Sequence, residues 1–169
     1  MLTPTYLVSC ITDLDPAALY DAGIRGLLLD KDNTLTHHHD PAITPEIRAW
    51  LKNVAAMGIR PMVVSNSMQK RVQPFAKREE LPWLALACKP LPFGFWRACK
   101  QLGLPRRACL VVGDQSFTDV LGAKLGGFPV AQTEPFEIEH GWSFTVRRKL
   151  EVGIRRRAAK RLIQKEKDV

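Results

Sequence analysis

Residues 26–36 of this 169-residue chain read GLLLDKDNTLT, an unbroken apolar run followed by two aspartates, Asp30 and Asp32. Such a run, without polar alternation, is typical of a strand in a parallel sheet that is covered on both faces. Four more short apolar runs follow, at residues 59–65, 84–88, 109–114 and 128–132. Helical patterns separate them, from Thr44 onwards and over about 68–80, 93–102 and 119–125. The alternation predicts an α/β fold with an open, doubly wound, mostly parallel sheet of about five strands.

Reactive side chains stand at or just after the ends of these predicted strands. They are Asp30, Ser65, Lys89 and Asp114. Ligands of open parallel sheets bind beyond the carboxyl ends of the strands, so these side chains are expected to share one crevice. A single aspartate after a strand is more often a turn former or a helix cap. Four side chains of suitable chemistry, one at or after the carboxyl end of each of four successive strands, favour a functional site.

The expected crevice contains the groups that phosphoryl transfer needs. Asp32 and Asp119 add to the carboxylates, and so many carboxylates repel one another unless a hard cation such as Mg²⁺ lies among them. One carboxylate could attack phosphorus, and a second could act as general acid and then general base. The Lys89 ammonium and the Ser65 hydroxyl could bind the phosphoryl oxygens.

Four segments resemble motifs one to four of the haloacid dehalogenase-like (HAD) phosphatase superfamily. They are DKDNTLT (30–36), VVSNS (63–67), CKP (88–90) and VVGDQSFTD (111–119). The narrower resemblance is to the YqeG family of type IIIA, phosphatidylglycerophosphate phosphatase-like enzymes. It lies in residues 2–36, LTPTYLVSCITDLDPAALYDAGIRGLLLDKDNTLT, and in the GDQxxTD form of the fourth motif. The resemblance covers roughly residues 1–135 and implies a HAD-like fold.

The resemblance also implies a role for each motif residue. Asp30 would be the nucleophile and Asp32 the general acid and base. Lys89 would stabilise the aspartyl-phosphate, and Asp119 would support the metal site from behind or hold Lys89. Phosphate-binding residues would be Thr34, which also orders its loop, Ser65, Asn66 and Lys89. The Mg²⁺ ligands would be Asp30, Asp32 through its backbone carbonyl, and Asp114.

The spacing of the motifs predicts an open site and a bulky substrate. The residues between Asp32 and Ser65 suffice for one helix, and the gap from Ser65 to Lys89 is also short, so there is no space for a large cap domain. The resemblance makes a lipid headgroup the expected substrate, with phosphatidylglycerophosphate converted to phosphatidylglycerol and phosphate. A soluble sugar or nucleotide phosphate is the alternative substrate.

Positive charge is concentrated at the end of the chain. The net charge is +8, of which residues 147–169 contribute +7, from ten Lys or Arg and three acidic residues. We therefore expect a phosphatase domain over 1–146 and a basic helix or tail over 147–169. The tail could be a helix that packs its apolar stripe against the domain, or it could lie at an anionic membrane surface. It could also bind RNA or ribosomes, with the HAD domain as a scaffold.

Other features lead us to expect a cytoplasmic protein, with contact at the membrane surface through the tail as one alternative. No apolar run reaches the roughly 18 residues that a spanning helix requires, and the first residues lack a signal-peptide pattern. The four widely spaced cysteines form no CxxC pair and are expected to be buried apolar residues. His37–His39 are read as a solvated loop, with a phosphate or headgroup contact as the alternative.

Overall fold

A six-stranded, entirely parallel sheet forms the centre of the protein in a computed structural model that describes residues 2–36, 42–136 and 152–160. The order of strands across the sheet is β1-β6-β5-β2-β3-β4. The strands are β1 (Tyr6–Leu7), β2 (Gly26–Leu29), β3 (Arg60–Val64), β4 (Trp83–Leu84), β5 (Cys109–Gly113) and β6 (Val130–Gln132). The sheet is thus the parallel one that the continuous apolar runs predict.

Helices cover both faces of this sheet. They are α1 (Pro16–Asp21), α2 (Pro45–Ala56), α3 (Gln69–Arg78), α4 (Phe93–Leu102) and α5 (Leu121–Gly126). A further helix, α6, covers residues 152–160. Neighbouring residues of β2 point to opposite faces. Leu27 and Leu29 pack in a core with α1, α2 and α3, whereas Leu28 packs in a second core with α4 and α5. Two apolar layers on one sheet confirm the doubly wound α/β architecture.

Local sequence signals account for the helix ends. The Thr44 hydroxyl caps α2 by accepting a hydrogen bond from the Ile47 N–H, and Pro45 occupies the first helical position. α4 ends at Gly103, which adopts the left-handed conformation with φ of 64°. Pro74 lies inside α3, and the helix runs through it. Its buried face, which includes Val72 and Phe75, packs on the sheet and offsets the lost hydrogen bond.

Several expectations need correction. The strand expected over 84–88 ends at Leu84, because Leu86 and Cys88 have positive φ angles that a strand cannot contain. β1 has no apolar run and was not anticipated, and β6 is shorter than expected. A π-helical turn, Ser116–Val120, precedes α5. The expectation of buried cysteines holds for Cys99 and Cys109, but Cys88 is exposed.

The carboxyl edge of the sheet has no large cap over it in the described part of the chain. Between Asp32 and Ser65 the described residues form α2 and β3, and between Ser65 and Lys89 they form α3 and β4. Nothing among residues 2–36, 42–136 and 152–160 forms a helix long and apolar enough to cross a membrane. His37–His39 and most of the tail lie outside the described residues.

Candidate active site

The side chains expected to form a site lie together at the carboxyl edge of the sheet. Asp30 directly follows β2 and Asp114 directly follows β5, and these two strands are neighbours in the sheet. Ser65 follows β3 on the other side of β2. All three residues are buried. We call this end of the sheet the catalytic edge.

Lys89 joins two carboxylates at the catalytic edge. Its Nζ donates hydrogen bonds to Asp30 Oδ1 and to Asp119 Oδ1, the latter over 2.7 Å. All three side chains are almost fully enclosed. Buried ion pairs are stable only when each charge is compensated, and here one ammonium lies between two carboxylates. The predicted contact between Asp119 and Lys89 is therefore present.

Burial and the neighbouring charges shift the protonation of this cluster. The pKa of Asp30 is raised to about 7. Burial is the largest cause, the Lys89 ammonium opposes it, and the negative charge of Asp119 adds to the rise. For Lys89, burial lowers the pKa, but Asp119 and Asp30 together outweigh it and hold the value above its usual range. Lys89 is consequently a fixed positive charge beside the proposed nucleophile.

The donor set at the catalytic edge fits a hard divalent cation. One carboxylate oxygen from each of Asp30, Asp114 and Asp119 lies within 4.8 Å of the others. Three carboxylate oxygens without a nitrogen or sulfur ligand are the donors that Mg²⁺ prefers. Asp30 and Asp114 belong to the predicted ligand set. Asp119 lies beside them, and its oxygens accept hydrogen bonds from Lys89 Nζ and from the Gln115 N–H.

Asp32 is held at the mouth of the site by two polar neighbours. Lys31 Nζ donates a hydrogen bond to Asp32 Oδ1, and Ser67 Oγ donates one to Asp32 Oδ2 over 3.4 Å. The Asp32 side chain remains 22% exposed, in contrast to the enclosed carboxylate of Asp30. A partly solvated carboxyl group can exchange protons with water, as a general acid and base must.

The side chains of Asn66, Ser65 and Thr34, which are expected to bind phosphate, differ in the contacts that they make. The Asn66 side chain accepts from the Lys89 N–H over 2.7 Å and donates to the Lys89 carbonyl over 2.9 Å, so it fixes the backbone that carries Lys89. Ser65 Oγ accepts from the Ser67 N–H. The buried Thr34 hydroxyl has no hydrogen-bond partner within the described part of the chain. Phosphate contact by these three residues stays a prediction.

Comparison with known proteins places the chain in a family. A model of the haloacid dehalogenase-like hydrolases matches residues 39–127. Over 139 residues, the chain is 33% identical to the protein named Probable phosphatase YqeG from Bacillus subtilis (strain 168), covering 79% of this chain and 81% of the relative. The chain belongs to the haloacid dehalogenase-like hydrolases. It is a YqeG-like HAD phosphatase, which confirms the resemblance found in the four motifs.

Solved structures agree with the HAD fold. A HAD superfamily (subfamily III A) hydrolase from Legionella pneumophila superimposes with a TM-score of 0.52 at 19% identity, covering 67% of each chain. The 3-deoxy-D-manno-octulosonate 8-phosphate phosphatase of Moraxella catarrhalis, solved with magnesium, phosphate and its sugar, gives a TM-score of 0.52 at 18% identity. That match covers 71% of this chain and 75% of the other.

Three residues of this HAD phosphatase that shape the site were not anticipated. Lys31, between the two aspartates of the first motif, is buried and donates a hydrogen bond to Asp32. The fully buried Gln132 donates from Nε2 to the Asp114 carbonyl over 3.1 Å and fixes the loop after β5. A Cβ at Gly113 would lie 2.3 Å from Asp119 Cγ, so only glycine leaves room for that carboxylate. A polar residue in the apolar run of β6 was the available signal for Gln132.

Proposed function

We propose that this HAD phosphatase is a Mg²⁺-dependent phosphomonoester hydrolase that works through an aspartyl-phosphate on Asp30 and acts on phosphatidylglycerophosphate. The observation that carries the chemistry is the buried cluster in which Lys89 bonds both Asp30 and Asp119, with Asp114 close by. A carboxylate, a fixed cation and a cation-binding donor set within one crevice are the components of phosphoryl transfer.

In the proposed first step, a carboxylate oxygen of Asp30 attacks phosphorus and the bond from phosphorus to the leaving oxygen breaks. Asp32 in its protonated form gives its proton to the leaving alkoxide, which departs as an alcohol. Lys89 neutralises part of the negative charge on the equatorial oxygens, and its contact with Asp119 keeps the ammonium in place.

The second step regenerates the enzyme. Asp32, now a carboxylate, removes a proton from a water molecule, and the resulting hydroxide attacks phosphorus. The bond between phosphorus and Asp30 breaks, which releases inorganic phosphate and restores the Asp30 carboxylate. A Mg²⁺ ion held by Asp30 and Asp114 would lower the repulsion between the attacking carboxylate and the phosphoryl oxygens.

The lipid substrate is supported by the open catalytic edge and by the resemblance to phosphatidylglycerophosphate phosphatases. Without a cap over the described site, a headgroup still attached to its diacylglycerol can reach Asp30. Small soluble substrates gain specificity from enclosure, because buried contacts surround most of the ligand. An uncovered crevice offers few such contacts and suits a substrate that is held in place at a surface.

Phosphate release from phosphatidylglycerophosphate in detergent micelles, measured beside soluble sugar and nucleotide phosphates, tests the proposal. We expect Mg²⁺-dependent release, lost on chelation, with kcat/KM at least about 10-fold higher for the lipid than for the soluble esters. A preference for a soluble ester would reject the lipid substrate and leave the chemistry standing.

Asp30→Asn is the matched control for the chemistry. The amide is nearly isosteric with the carboxylate but cannot form the aspartyl-phosphate, so we expect a folded protein without turnover. Beryllofluoride with Mg²⁺ should form an adduct on Asp30 in the parent protein and none in the variant. Turnover by a well-folded Asp30→Asn protein would reject the covalent mechanism whatever the substrate.

A further inference from the structure

Large apolar side chains are exposed around the catalytic edge. Eight large apolar residues are exposed in the described part of the chain. Three of them belong to the loops that lead from β3 into α3 and from β4 into α4, and a fourth is the first residue of α4. In a parallel sheet such loops lie at the carboxyl edge, beside Asp30. Each of the four is 51–55% exposed. We call these four the apolar rim, and they are Met68, Leu86, Leu91 and Phe93.

The two loops that bear the apolar rim are bonded to one another and to the site. The Leu86 N–H donates to the Ser67 carbonyl over 3.1 Å, and the Asn66 side chain bonds the backbone of Lys89. Leu86 has φ of 51°, a left-handed conformation that costs a leucine roughly 1–2 kcal/mol. The fold therefore maintains a strained backbone at a position where a leucine side chain faces water.

Positive charge lies on one side of the apolar rim. Lys70 and Arg71 are exposed in the first turn of α3, directly after Met68. The sequence has no Asp or Glu from residue 81 to residue 113, the segment that contains Leu86, Leu91 and Phe93. Apolar side chains flanked by lysine and arginine, with no acid between them, match the chemistry of an anionic lipid surface.

The basic helix α6 lies at the same edge on the opposite flank. Arg155 donates to the carbonyls of Thr133 and Val8 and pairs with Glu134, which follow β6 and β1 at their carboxyl ends. Ala158, one turn further, is buried. Arg156, Arg157 and Lys160 of α6 are exposed. α6 thus packs on the domain through one face and leaves the charges of another face in solvent, beside the crevice.

We infer that the catalytic edge is a docking surface for an anionic lipid bilayer, with the apolar rim entering the interface and the exposed basic residues contacting the headgroups. This inference rests on the proposed function, because the benefit of docking is that it would bring the phosphorylated headgroup of a lipid to Asp30. RNA, the other anionic partner that the tail suggests, would use the charges but not the apolar rim.

Vesicle co-sedimentation of the full chain tests the inference without turnover. Both proteins compared carry Asp30→Asn, and one also carries Met68→Gln, Leu86→Gln, Leu91→Gln and Phe93→Gln. With vesicles of phosphatidylglycerol and phosphatidylcholine, we expect the rim variant to bind at least about 10-fold more weakly. With pure phosphatidylcholine both should bind poorly, and raising salt from 0.1 to 1 M should weaken the parent because it screens the basic contribution.

A control removes exposed apolar side chains from the other end of the sheet. Tyr20 and Met57, which are 36% and 38% exposed, lie where α1 and α2 end, at the amino edge. Their replacement by glutamine should leave vesicle binding unchanged. Thermal unfolding checks that both multiple variants remain folded. If the fourfold variant unfolds, the single variants Leu86→Gln and Phe93→Gln replace it, and each is expected to bind vesicles more weakly than the parent.

The outcomes separate this inference from the proposed function. Equal vesicle binding by the parent and the rim variants would overturn the docking surface, even if the lipid is hydrolysed in micelles. Binding to RNA with no binding to anionic vesicles would overturn it as well. Rim-dependent vesicle binding together with a preference for soluble esters in micelles would support docking and reject only the lipid substrate.

Discussion

Gly113→Ala is expected to inactivate the enzyme through the position of one carboxylate. The added Cβ would lie 2.3 Å from Asp119 Cγ and 2.5 Å from Oδ2, whereas ordinary contact begins near 3.4 Å. The carboxyl group must therefore move by about 1 Å. Because Asp119 Oδ1 accepts from Lys89 Nζ over 2.7 Å, a shift of that size breaks or misaligns the hydrogen bond. Misplacement by about 1 Å can cost on the order of 10²-fold in rate.

The assay for this prediction is the initial rate on a small soluble phosphate ester, with vanadate affinity and thermal unfolding measured in parallel. Overpacking should also lower the free energy of unfolding, by about 1–3 kcal/mol. Gly103→Ala is the control, since φ of 64° makes alanine costly there but its Cβ would meet nothing within 4 Å. That variant should lose comparable stability and keep its activity.

A double-mutant cycle identifies the cause. On an Asp119→Ala background, Gly113→Ala has no carboxyl group to displace, and its effect on rate and on vanadate affinity should fall to about 3-fold or less. An equal effect on both backgrounds would refute the reasoning, because the loss would then arise from the backbone of β5. Full activity of Gly113→Ala in the parent would refute it more directly.

The remaining predictions concern the other carboxylates. Asp32→Asn should lower kcat by about 10²–10⁴-fold for an alkyl phosphate and by much less for an activated aryl phosphate, whose leaving group needs little protonation; equal losses in steady-state kinetics would contradict the acid role. Asp114→Ala should raise the Mg²⁺ concentration for half-maximal activity about 10-fold or more, and an unchanged titration would remove it from the ligand set. In Mg²⁺-free buffer, the native protein holds a proton on Asp30 up to about pH 7, whereas the unfolded chain loses it near 3.8. The contribution of Asp30 to the free energy of unfolding should therefore fall as the pH rises from about 4 to about 7. Denaturant titrations of Asp30→Asn should lack that fall.

The central strands and the site positions could be predicted because each depends on local sequence. β2, β3 and β5 are continuous apolar runs covered on both faces, and the carboxyl ends of parallel strands bring Asp30 and Asp114 together wherever the loops go. Capping by Thr44 and Pro45 was likewise a local signal.

The features that were missed depend on contacts between distant residues or on costly backbone conformations. β1 exists because it pairs with β6, and nothing in Tyr6–Leu7 alone indicates a strand. Leu86 was assigned to a strand because leucine rarely accepts positive φ, and the loop holds it there through Ser67. The bonds from the Asn66 side chain to the main chain of Lys89, 23 residues away, were also not anticipated.

The pairing of β1 with β6 has a consequence for synthesis of the protein. Tyr6 lies beside Ala131, so the first strand to leave the ribosome has no neighbour until almost the whole domain has been made. The central strands can assemble earlier, because β2 and β3 are separated by a single helix. A chain that lost β1 by proteolysis would uncover the edge of β6, whose residues Val130–Gln132 are otherwise buried, and would expose unpaired N–H and C=O groups to other chains.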